Sequence, residues 1–380
     1  MEIIYGIWQY LVPFLVVLTV LVFVHELGHY LVARRCGVRV EVFSIGFGPE
    51  LFGWNDRHDT RWKFSAIPIG GYVKMFGEME PAAPSSEGPL VPMTAQDEAV
   101  SFQTKTVGQR SAIVAAGPIA NFLFAIVLLA GTYVVVGQPH TPAQIGTVVE
   151  DSAAARAGLQ PGDLIVRING TEIGRFEQIQ RIVQLAPGRQ MDITIERGGA
   201  PRTVSILPDT VEVTDRFGNV QTIGRLGITR STQDTKLVRY DPLSALWYAT
   251  GETMTLTVSI FDALGQIIAG TRTAQELGGP IRIAQMSGDV AETGLVSLVM
   301  FAALLSVNLG LINLFPVPML DGGHLMFYAM EWIRGRPIGE RAREYGFRIG
   351  LALVLTLMLF ATWNDLVHLR VFDFFAGLVT

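Results

Sequence analysis

Two histidines and a glutamate lie together in an apolar stretch near the start of the chain. The sequence VLVFVHELGHYLVARR (20–35) places His25 and His29 four residues apart, with Glu26 directly after the first. On a helix this spacing puts both imidazoles on one face, about 6 Å apart, where they can hold one metal ion. A zinc ion held by such a motif lowers the pKa of its water, and the glutamate serves as general base. The pattern therefore predicts a zinc hydrolase with metal ligands His25 and His29 and catalytic base Glu26.

A second apolar stretch offers the third ligand that such a site needs. SVNLGLINLFPVPMLDGGHL (306–325) contains Pro316 and Pro318, which cannot continue a regular helix. Unwound backbone at membrane depth is tolerated only inside protein or beside a water-filled cavity. Asp321 is the carboxylate that this cavity would present, and we favour it as the third zinc ligand. His324, three residues further on, is the alternative.

The composition indicates that these groups lie in a membrane protein. Of the 380 residues, 49 % are hydrophobic and 17 % are charged, whereas a soluble domain carries about a quarter charged residues. The net charge of −5 argues against a nucleic-acid partner, and the single cysteine, Cys36, excludes an intrachain disulfide. Four stretches are long and apolar enough to cross a bilayer, at residues 9–33, 111–136, 295–315 and 347–366.

Basic residues near the ends of these stretches predict their orientation. Lys and Arg cluster at 34–39 and 105–110, and again at 334–348. The positive-inside rule puts all three groups on the cytoplasmic side, so both termini and residues 137–294 lie outside the cytoplasm. Residues 243–270 are also fairly apolar. We interpret them as amphipathic helices rather than a fifth span, because a fifth span would put the two halves of the metal site at different depths.

The segment between the second and third stretches has the texture of a soluble domain. A short helix at 153–157, a strand at 164–168, a hairpin signal at Asn169-Gly170, a helix at 176–185 and strands at 191–196 and 203–207 are predicted. AGLQPGDLIVRING (157–170) is similar to the signature of PDZ domains. GRLGIT (224–229) resembles their carboxylate-binding loop, whose backbone N–H groups could hold a peptide C-terminus. A purely steric or gating role for this module is the alternative.

Residues 61–78, RWKFSAIPIGGYVKMFGE, alternate like a β-hairpin around Gly70-Gly71. An extended chain could add to an exposed edge strand beside the metal, which would supply hydrogen bonds to its backbone. The candidate substrate-binding residues are therefore Ile69, Gly70, Gly71 and Tyr72. The alternative is an ordinary cytoplasmic hairpin, and the Pro- and Ser-rich residues 79–98 that follow are predicted to be a flexible loop.

A polar residue also interrupts the second apolar stretch, where GPIAN (117–121) contains Pro118 and Asn121. The Asn121 amide either lines the same cavity or forms a hydrogen bond between helices.

HELGH in the first apolar stretch, the PDZ-like module and NLFPVPMLDGGH (313–324) together resemble the site-2 protease family of intramembrane metalloproteases. The likeness is greatest to the bacterial branch that regulates envelope-stress sigma factors. The resemblance implies one zinc ion held by His25, His29 and Asp321, with Glu26 catalytic and Asn313 positioning the substrate. It implies single-pass transmembrane substrates, such as an anti-sigma factor or a signal-peptide remnant, and a membrane re-entrant β-hairpin at residues 61–78.

The predicted architecture is a polytopic α-helical membrane protein of four transmembrane helices with an inserted α+β PDZ domain. Its parts are residues 1–136 with the first two helices and the hairpin, 137–232 as the extracytoplasmic PDZ domain, 233–294 as an amphipathic helical region, and 295–380 with the last two helices. Some family members carry two tandem PDZ domains, and this chain has one. A membrane metal-ion transporter and a non-catalytic PDZ scaffold are the rival functions; inverted repeats, which many transporters contain, are not visible.

Overall fold

The computed structural model describes residues 2–78, 94–214, 220–231, 236–270 and 278–368. Most of the predicted flexible loop, residues 79–93, lies outside the described residues. Its last residues begin a short helix that is capped by the Thr94 side chain.

The elements follow one another in three groups. The first group consists of α1 (Glu2–Arg35), β1 (Val40–Asn55), β2 (Arg61–Met75), α2 (Ala95–Val100) and α3 (Val107–Val135). The second consists of β3 (Gln138–His140), β4 (Ile145–Val148), α4 (Ala153–Arg156), β5 (Leu164–Ile168), β6 (Thr171–Glu172), α5 (Phe176–Gln184), β7 (Met191–Arg197), β8 (Ala200–Ile206), β9 (Asp209–Thr214), β10 (Val220–Arg225), β11 (Ile228–Arg230) and β12 (Lys236–Val238). The third consists of α6 (Pro242–Ile268), α7 (Pro280–Glu292), α8 (Leu295–Leu314), α9 (Asp321–Arg334) and α10 (Glu340–His368).

Four helices within the described residues are long and apolar enough to cross a membrane, as predicted. They are Trp8–Arg35, Val107–Val135, Leu295–Leu314 and Arg341–Val367. The fairly apolar residues 243–270 form one continuous helix, α6, which is not among them.

The predicted break in the third apolar stretch is present between α8 and α9. The backbone becomes extended at Phe315 (φ −62°, ψ 142°), immediately before Pro316. The helical conformation resumes only at Asp321. The missing N–H groups of Pro316 and Pro318 explain why no helix runs through this point.

The β-hairpin differs from the prediction in extent and pairing. It is formed by β1 and β2, with its connection at residues 56–60 rather than at Gly70-Gly71. Residues 42–45 of β1 pair with 61–64 on one side and with 71–74 on the other. Gly70 has a φ of 98° where β2 reverses, so the two halves of β2 flank β1 instead of pairing with each other. Among the described residues, no strand pairs with the outer side of residues 71–75, which are an edge.

The chain divides into two compact units. The first takes in Met1–Ala130, Leu246–Thr257 and Gly278–Asp365, and the second Gly131–Ala245, Val258–Leu277 and Leu366–Thr380. The second unit contains the segment with the PDZ-like signature. Its antiparallel sheet has the order β6-β5-β7-β8, and Ile165, Ile193 and Phe176 lie in its buried core. The predicted strands and helices at 164–168, 176–185, 191–196 and 203–207 are therefore present, while the β9–β10 hairpin was not anticipated.

One buried ion pair stabilises this module. Asp163 is 1 % exposed and accepts hydrogen bonds from Arg197 at 2.6 and 2.7 Å and from the Gln160 amide at 2.9 Å. The hydrogen bonds from Arg197 hold the pKa of Asp163 below its ordinary value, although burial opposes this. Its contribution to stability is therefore full above the unfolded pKa of about 3.9 and is lost as the pH falls below it.

We expect Asp163→Ala to destabilise the module by about 2–3 kcal/mol at neutral pH, because Arg197 and a backbone amide lose a charged acceptor. Limited proteolysis of the full chain across a temperature series measures the effect. Asp192→Ala, an exposed aspartate on β7, is the control. Equal protease resistance of the two variants at pH 7 would contradict the expectation.

Candidate active site

Three side chains from α1 and α9 converge at one point in the first unit. The Oδ2 atom of Asp321 lies 3.1 Å from Nε2 of His25 and 3.5 Å from Nε2 of His29. The two Nε2 atoms are 3.2 Å apart. Both histidines are buried. Within the described parts of the chain, these three residues form the one cluster of His, Cys, Asp and Glu side chains with metal-ligand spacing.

The spacing of these three atoms fits a zinc ion. Ligand atoms about 2.0–2.1 Å from a tetrahedral zinc are about 3.3 Å from one another. In addition, Oδ2 of Asp321 is buried and accepts no well-directed hydrogen bond from any described residue. A buried carboxylate oxygen without a donor is costly unless a cation is its partner. The donor set of two imidazole nitrogens and one carboxylate oxygen is one that zinc prefers.

Helix α3 fixes the orientation of both imidazoles. Nδ1 of His29 lies 2.9 Å from the Ile113 carbonyl oxygen. Because a carbonyl can only accept, Nδ1 carries the proton and Nε2 presents its lone pair to the cluster. Nδ2 of Asn121 lies 3.1 Å from Nδ1 of His25, and Oδ1 of Asn121 is buried without a partner among the described residues. With the amide turned so that its oxygen faces Nδ1, Asn121 would hold His25 in the same tautomer.

Two glycines let α1 and α3 approach closely at this point. A Cβ atom on Gly28 would collide with the Ala116 backbone. A Cβ atom on Gly117 would collide with Nε2 of His29 and lie 2.9 Å from Cε1 of His25. Small residues at helix crossings in membranes allow such contacts between backbone and partner. The α3 backbone therefore forms one wall of the metal site.

The turn before α9 directs Asp321 toward the histidines. Asp321 is the first residue of the helix, where the helix dipole favours a carboxylate. Met319, two residues earlier, has a φ of 93°. Positive φ at a non-glycine residue is uncommon and concentrates at functional sites. Gly322 and Gly323 pack directly on the carbonyl oxygens of Leu314, Phe315 and Val317, where no side chain would fit.

His324, the alternative third ligand, does not join the cluster. Its ring packs against Phe347 on α10, with centroids 5.2 Å apart, and lies 6.5 Å from the Tyr328 ring. The geometry thus favours Asp321.

A cavity of about 640 Å³ opens beside the three ligands. It is lined by His25, Glu26, His29, Tyr72, Asn313, Asp321 and His324, among others. The catalytic and substrate-positioning candidates Glu26 and Asn313 are therefore brought to the same space. A Cβ atom on Gly71 would lie 3.5 Å from Cγ of Glu26, so the edge of β2 passes directly beside the expected base.

The other two hairpin candidates lie further from the ligands. Gly70 packs against the Phe47 ring, and Ile69 is 54 % exposed. Neither residue lines the cavity.

Asp56 fastens the hairpin to α1. Its carboxylate accepts hydrogen bonds from Tyr30 at 2.8 Å, from Trp62 at 3.0 Å and from the backbone amides of His58 and Thr60. Burial alone would raise the pKa of Asp56, but these hydrogen bonds lower it to about 2. Tyr30 directly follows His29, so the hairpin is attached to α1 next to a metal ligand.

A metal-ligand cluster and an adjacent glutamate, carried by helices apolar enough to span a bilayer, define a membrane zinc peptidase. The profile of peptidase family M50 matches residues 13–357. A zinc metalloprotease of Agrobacterium fabrum is 46 % identical over 94 % of this chain and 95 % of its own length. The metalloprotease MmpA of Caulobacter vibrioides is 39 % identical over 97 % of this chain and 98 % of its own length. The chain belongs to peptidase family M50, the site-2 proteases, and is a zinc-dependent metalloprotease.

Two solved structures of PDZ domains each match about a quarter of this chain. The crystal structure of the PDZ domain of the SdrC-like protein from Listeria monocytogenes is 22 % identical, with a TM-score of 0.19, and covers 24 % of this chain and 88 % of that one. The corresponding domain from Listeria innocua is 22 % identical, with a TM-score of 0.20, and covers 25 % of this chain and 99 % of that one.

Sequence reasoning did not find the roles of Ile113 and Gly117. A backbone carbonyl leaves no signal in the residue type, so Ile113 could not be recognised. Gly117 lies four residues before Asn121, one helical turn away on the same face. That spacing was the available signal that Gly117 also faces the histidines.

Proposed function

We propose that this metalloprotease hydrolyses a peptide bond within or beside a transmembrane helix of another protein. The observation that carries this proposal is the location of the site. His25, Glu26 and His29 belong to a helix apolar enough to span a bilayer, and Asp321 begins the helix after another. A soluble substrate would have no reason to meet a catalytic group there, whereas a transmembrane substrate already lies at this depth. The chain is a multi-pass membrane protein, and the proposed location is the bacterial inner membrane.

Each residue of the site has a separate role in hydrolysis. His25, His29 and Asp321 would hold the zinc ion, and Ile113 and Asn121 keep the two imidazoles in the required tautomer. When bound, zinc polarises a carbonyl oxygen and lowers the pKa of water. Glu26 takes the proton of the attacking water on its carboxylate and returns it to the nitrogen of the leaving amine.

The edge of β2 is proposed to hold the substrate in extended form. Among the described residues, 71–75 pair with a strand on one side only and pass beside Glu26, whose carboxylate accepts a hydrogen bond from the Val73 amide. A strand added there would have its backbone N–H and C=O groups satisfied while its scissile bond faces the base. Tyr72 and Asn313 line the same cavity and would contact the residues on either side of that bond. Ile69 and Gly70 would contact the substrate further from the scissile bond.

The basic residues at 34–39, 105–110 and 334–348 support the orientation that completes this proposal. The termini and the PDZ-like module lie outside the cytoplasm, and the hairpin re-enters the membrane from the cytoplasmic side. Substrates are single-pass proteins that have already lost their outer domain, such as an anti-sigma factor or a signal-peptide remnant. The module either binds the new C-terminus of such a remnant or restricts access to larger proteins.

Replacing Glu26 with glutamine tests the proposal. The variant keeps the shape of the side chain and cannot accept the proton, so we expect cleavage to fall by about 10²–10⁴-fold while the zinc content is unchanged. Quantitative mass spectrometry of membranes from cells that produce the parent or the variant should then reveal a single-pass fragment that accumulates uncut.

Glu98→Gln, an exposed position on α2, is the matched control and should behave as the parent. Undiminished cleavage of the accumulating protein by Glu26→Gln, or fragments derived only from soluble proteins, would refute the proposed function.

A further inference from the structure

A partly buried ion pair connects α3 and α9 on the wall of the cavity that opens beside the metal ligands. Nη2 of Arg110 lies 2.7 Å from Oε1 of Glu331, and each side chain is 15 % exposed. The guanidinium also lies over the Tyr328 ring, 4.9 Å from its centroid. Its Nε donates to the Lys105 carbonyl oxygen at 3.2 Å. Arg110 is thus held on three sides, and nothing in the proposed chemistry uses it.

Both partners belong to helix faces that point toward the metal site. On α3, Arg110, Val114, Gly117 and Asn121 follow one another at intervals of four, three and four residues. On α9, Asp321, His324, Tyr328 and Glu331 follow at intervals of three, four and three. Each set lies on one face of its helix. The α3 set meets the imidazoles at its Asn121 end, and the α9 set supplies the carboxylate at its Asp321 end.

The two faces are of matching length and run in opposite directions. Ten residues separate Asp321 from Glu331, and eleven separate Arg110 from Asn121, which correspond to about 15 and 16 Å of helix. The metal cluster therefore closes one end of the contact between α3 and α9, and the ion pair closes the other. A slip of α9 by one turn, about 5.4 Å, would break the ion pair and withdraw the Asp321 carboxylate together.

The turn before α9 does not by itself determine where the helix points. Residues 315–320 are irregular, and Asp321 begins the helix. A small change in the direction of α9 therefore moves the Asp321 carboxylate relative to the two imidazoles. A second attachment far along the helix determines that direction. Buried ion pairs add little net stability, but they can fix the register between elements, because the misaligned state leaves buried charges unpaired.

We propose that Arg110 and Glu331 are positioning residues of the metal site. They hold α9 at the position along α3 where Asp321 can bind the metal ion together with His25 and His29. This inference rests on the ligand set of the proposed function. Neither residue contacts the ligands, although both line the cavity beside them. Zinc affinity, rather than cleavage, is therefore the quantity that reports their effect on helix position.

Charge reversal of each partner, singly and together, tests this inference. Zinc affinity of the full chain in detergent is measured by competition with a chelating dye. We expect Arg110→Glu and Glu331→Arg each to weaken zinc binding by about 10-fold, the lower end of what loss of a supporting contact costs. The double variant re-forms the pair with its charges exchanged and should recover the parent affinity. Arg110→Met and Glu331→Gln, which remove one charge without adding a like charge, should show the same loss if a reversal variant fails to fold.

Matched controls separate this inference from the proposed function. Exchange of Arg348 and Glu344, an exposed pair one turn apart on α10, should leave zinc affinity unchanged. Single variants of Arg110 and Glu331 that bind zinc as tightly as the parent, or a double variant as weak as the single ones, would overturn the inference while Asp321→Asn still loses zinc. Should Asp321→Asn also bind zinc normally, the ligand set itself is wrong and both proposals fall.

Discussion

Gly117→Ala is expected to abolish zinc binding and, with it, peptide hydrolysis. One added methyl group would collide with Nε2 of His29 and lie 2.9 Å from Cε1 of His25. The imidazoles cannot simply rotate away, because Nδ1 of His29 is tied to Ile113 and Nδ1 of His25 faces Asn121. We expect zinc affinity to fall by about 100-fold or more, at the upper end of losses from disturbed supporting contacts, and stability to fall by about 1–3 kcal/mol through overpacking.

The same helix supplies the controls for this substitution. Gly108 and Gly131 also belong to α3, and a Cβ atom on either would meet nothing within 4 Å. Alanine at these positions should retain zinc and gain up to about 1 kcal/mol from helix propensity. Zinc content after dialysis and competition with a chelating dye measure all three variants. Normal zinc affinity in Gly117→Ala would show that α3 does not form the wall of the metal site.

The contrast between Gly117 and the histidines explains what a sequence can reveal about this site. His25, Glu26 and His29 carry their chemistry in their side chains, at a spacing that the helix turns into one face. Gly117 acts through the absence of a side chain, and Ile113 acts through a backbone carbonyl. A carbonyl leaves the residue type at position 113 open, and one sequence does not distinguish a glycine that packing requires from one that it does not.

The hairpin shows a second limit of prediction from one sequence, because pairing between distant segments is not visible in it. Alternation in residues 61–78 correctly indicated β-structure, because strand periodicity is local. The pairing partner is residues 40–55, whose contribution depends on the bends near Gly46 and Gly70. Register between distant segments is decided by which faces are buried, and the burial pattern here depends on α1. The edge next to Glu26 was therefore expected from a hairpin closed at Gly70-Gly71, whereas in the structure the two halves of β2 lie on either side of β1.

The third apolar stretch was predicted more completely because prolines act locally. Pro316 and Pro318 exclude a helix in any context, so the break before Asp321 follows from residue type alone. The identity of the third ligand does not. Asp321 and His324 are one turn apart, and the choice between them depends on the direction of α9 and on the Phe347 ring that occupies the side of His324.

Asp321→Asn and His324→Gln should therefore differ greatly in their affinity for zinc. The asparagine keeps the size of the side chain and loses the anionic oxygen, so we expect at least about a 100-fold weaker affinity. His324→Gln should bind zinc nearly as the parent does. A loss confined to His324→Gln, measured by competition with a chelating dye, would assign the third ligand to His324.

Asp321→Asn should also raise the stability of the metal-free protein. In the parent without zinc, lone pairs from two imidazoles and one carboxylate converge within 3.1–3.5 Å. An amide at position 321 can instead donate to Nε2 of His29, so the buried ion pair between the carboxylate and a protonated imidazole is no longer needed. With zinc at 100 times the parent's dissociation constant, binding raises the parent's free energy of unfolding by about 2.7 kcal/mol. The variant largely lacks this gain because it binds zinc more weakly. Thermal unfolding should therefore rank Asp321→Asn at or above the parent in the presence of chelator and below it in zinc. A variant that is less stable than the parent under both conditions would mean that the carboxylate has a structural partner other than the metal.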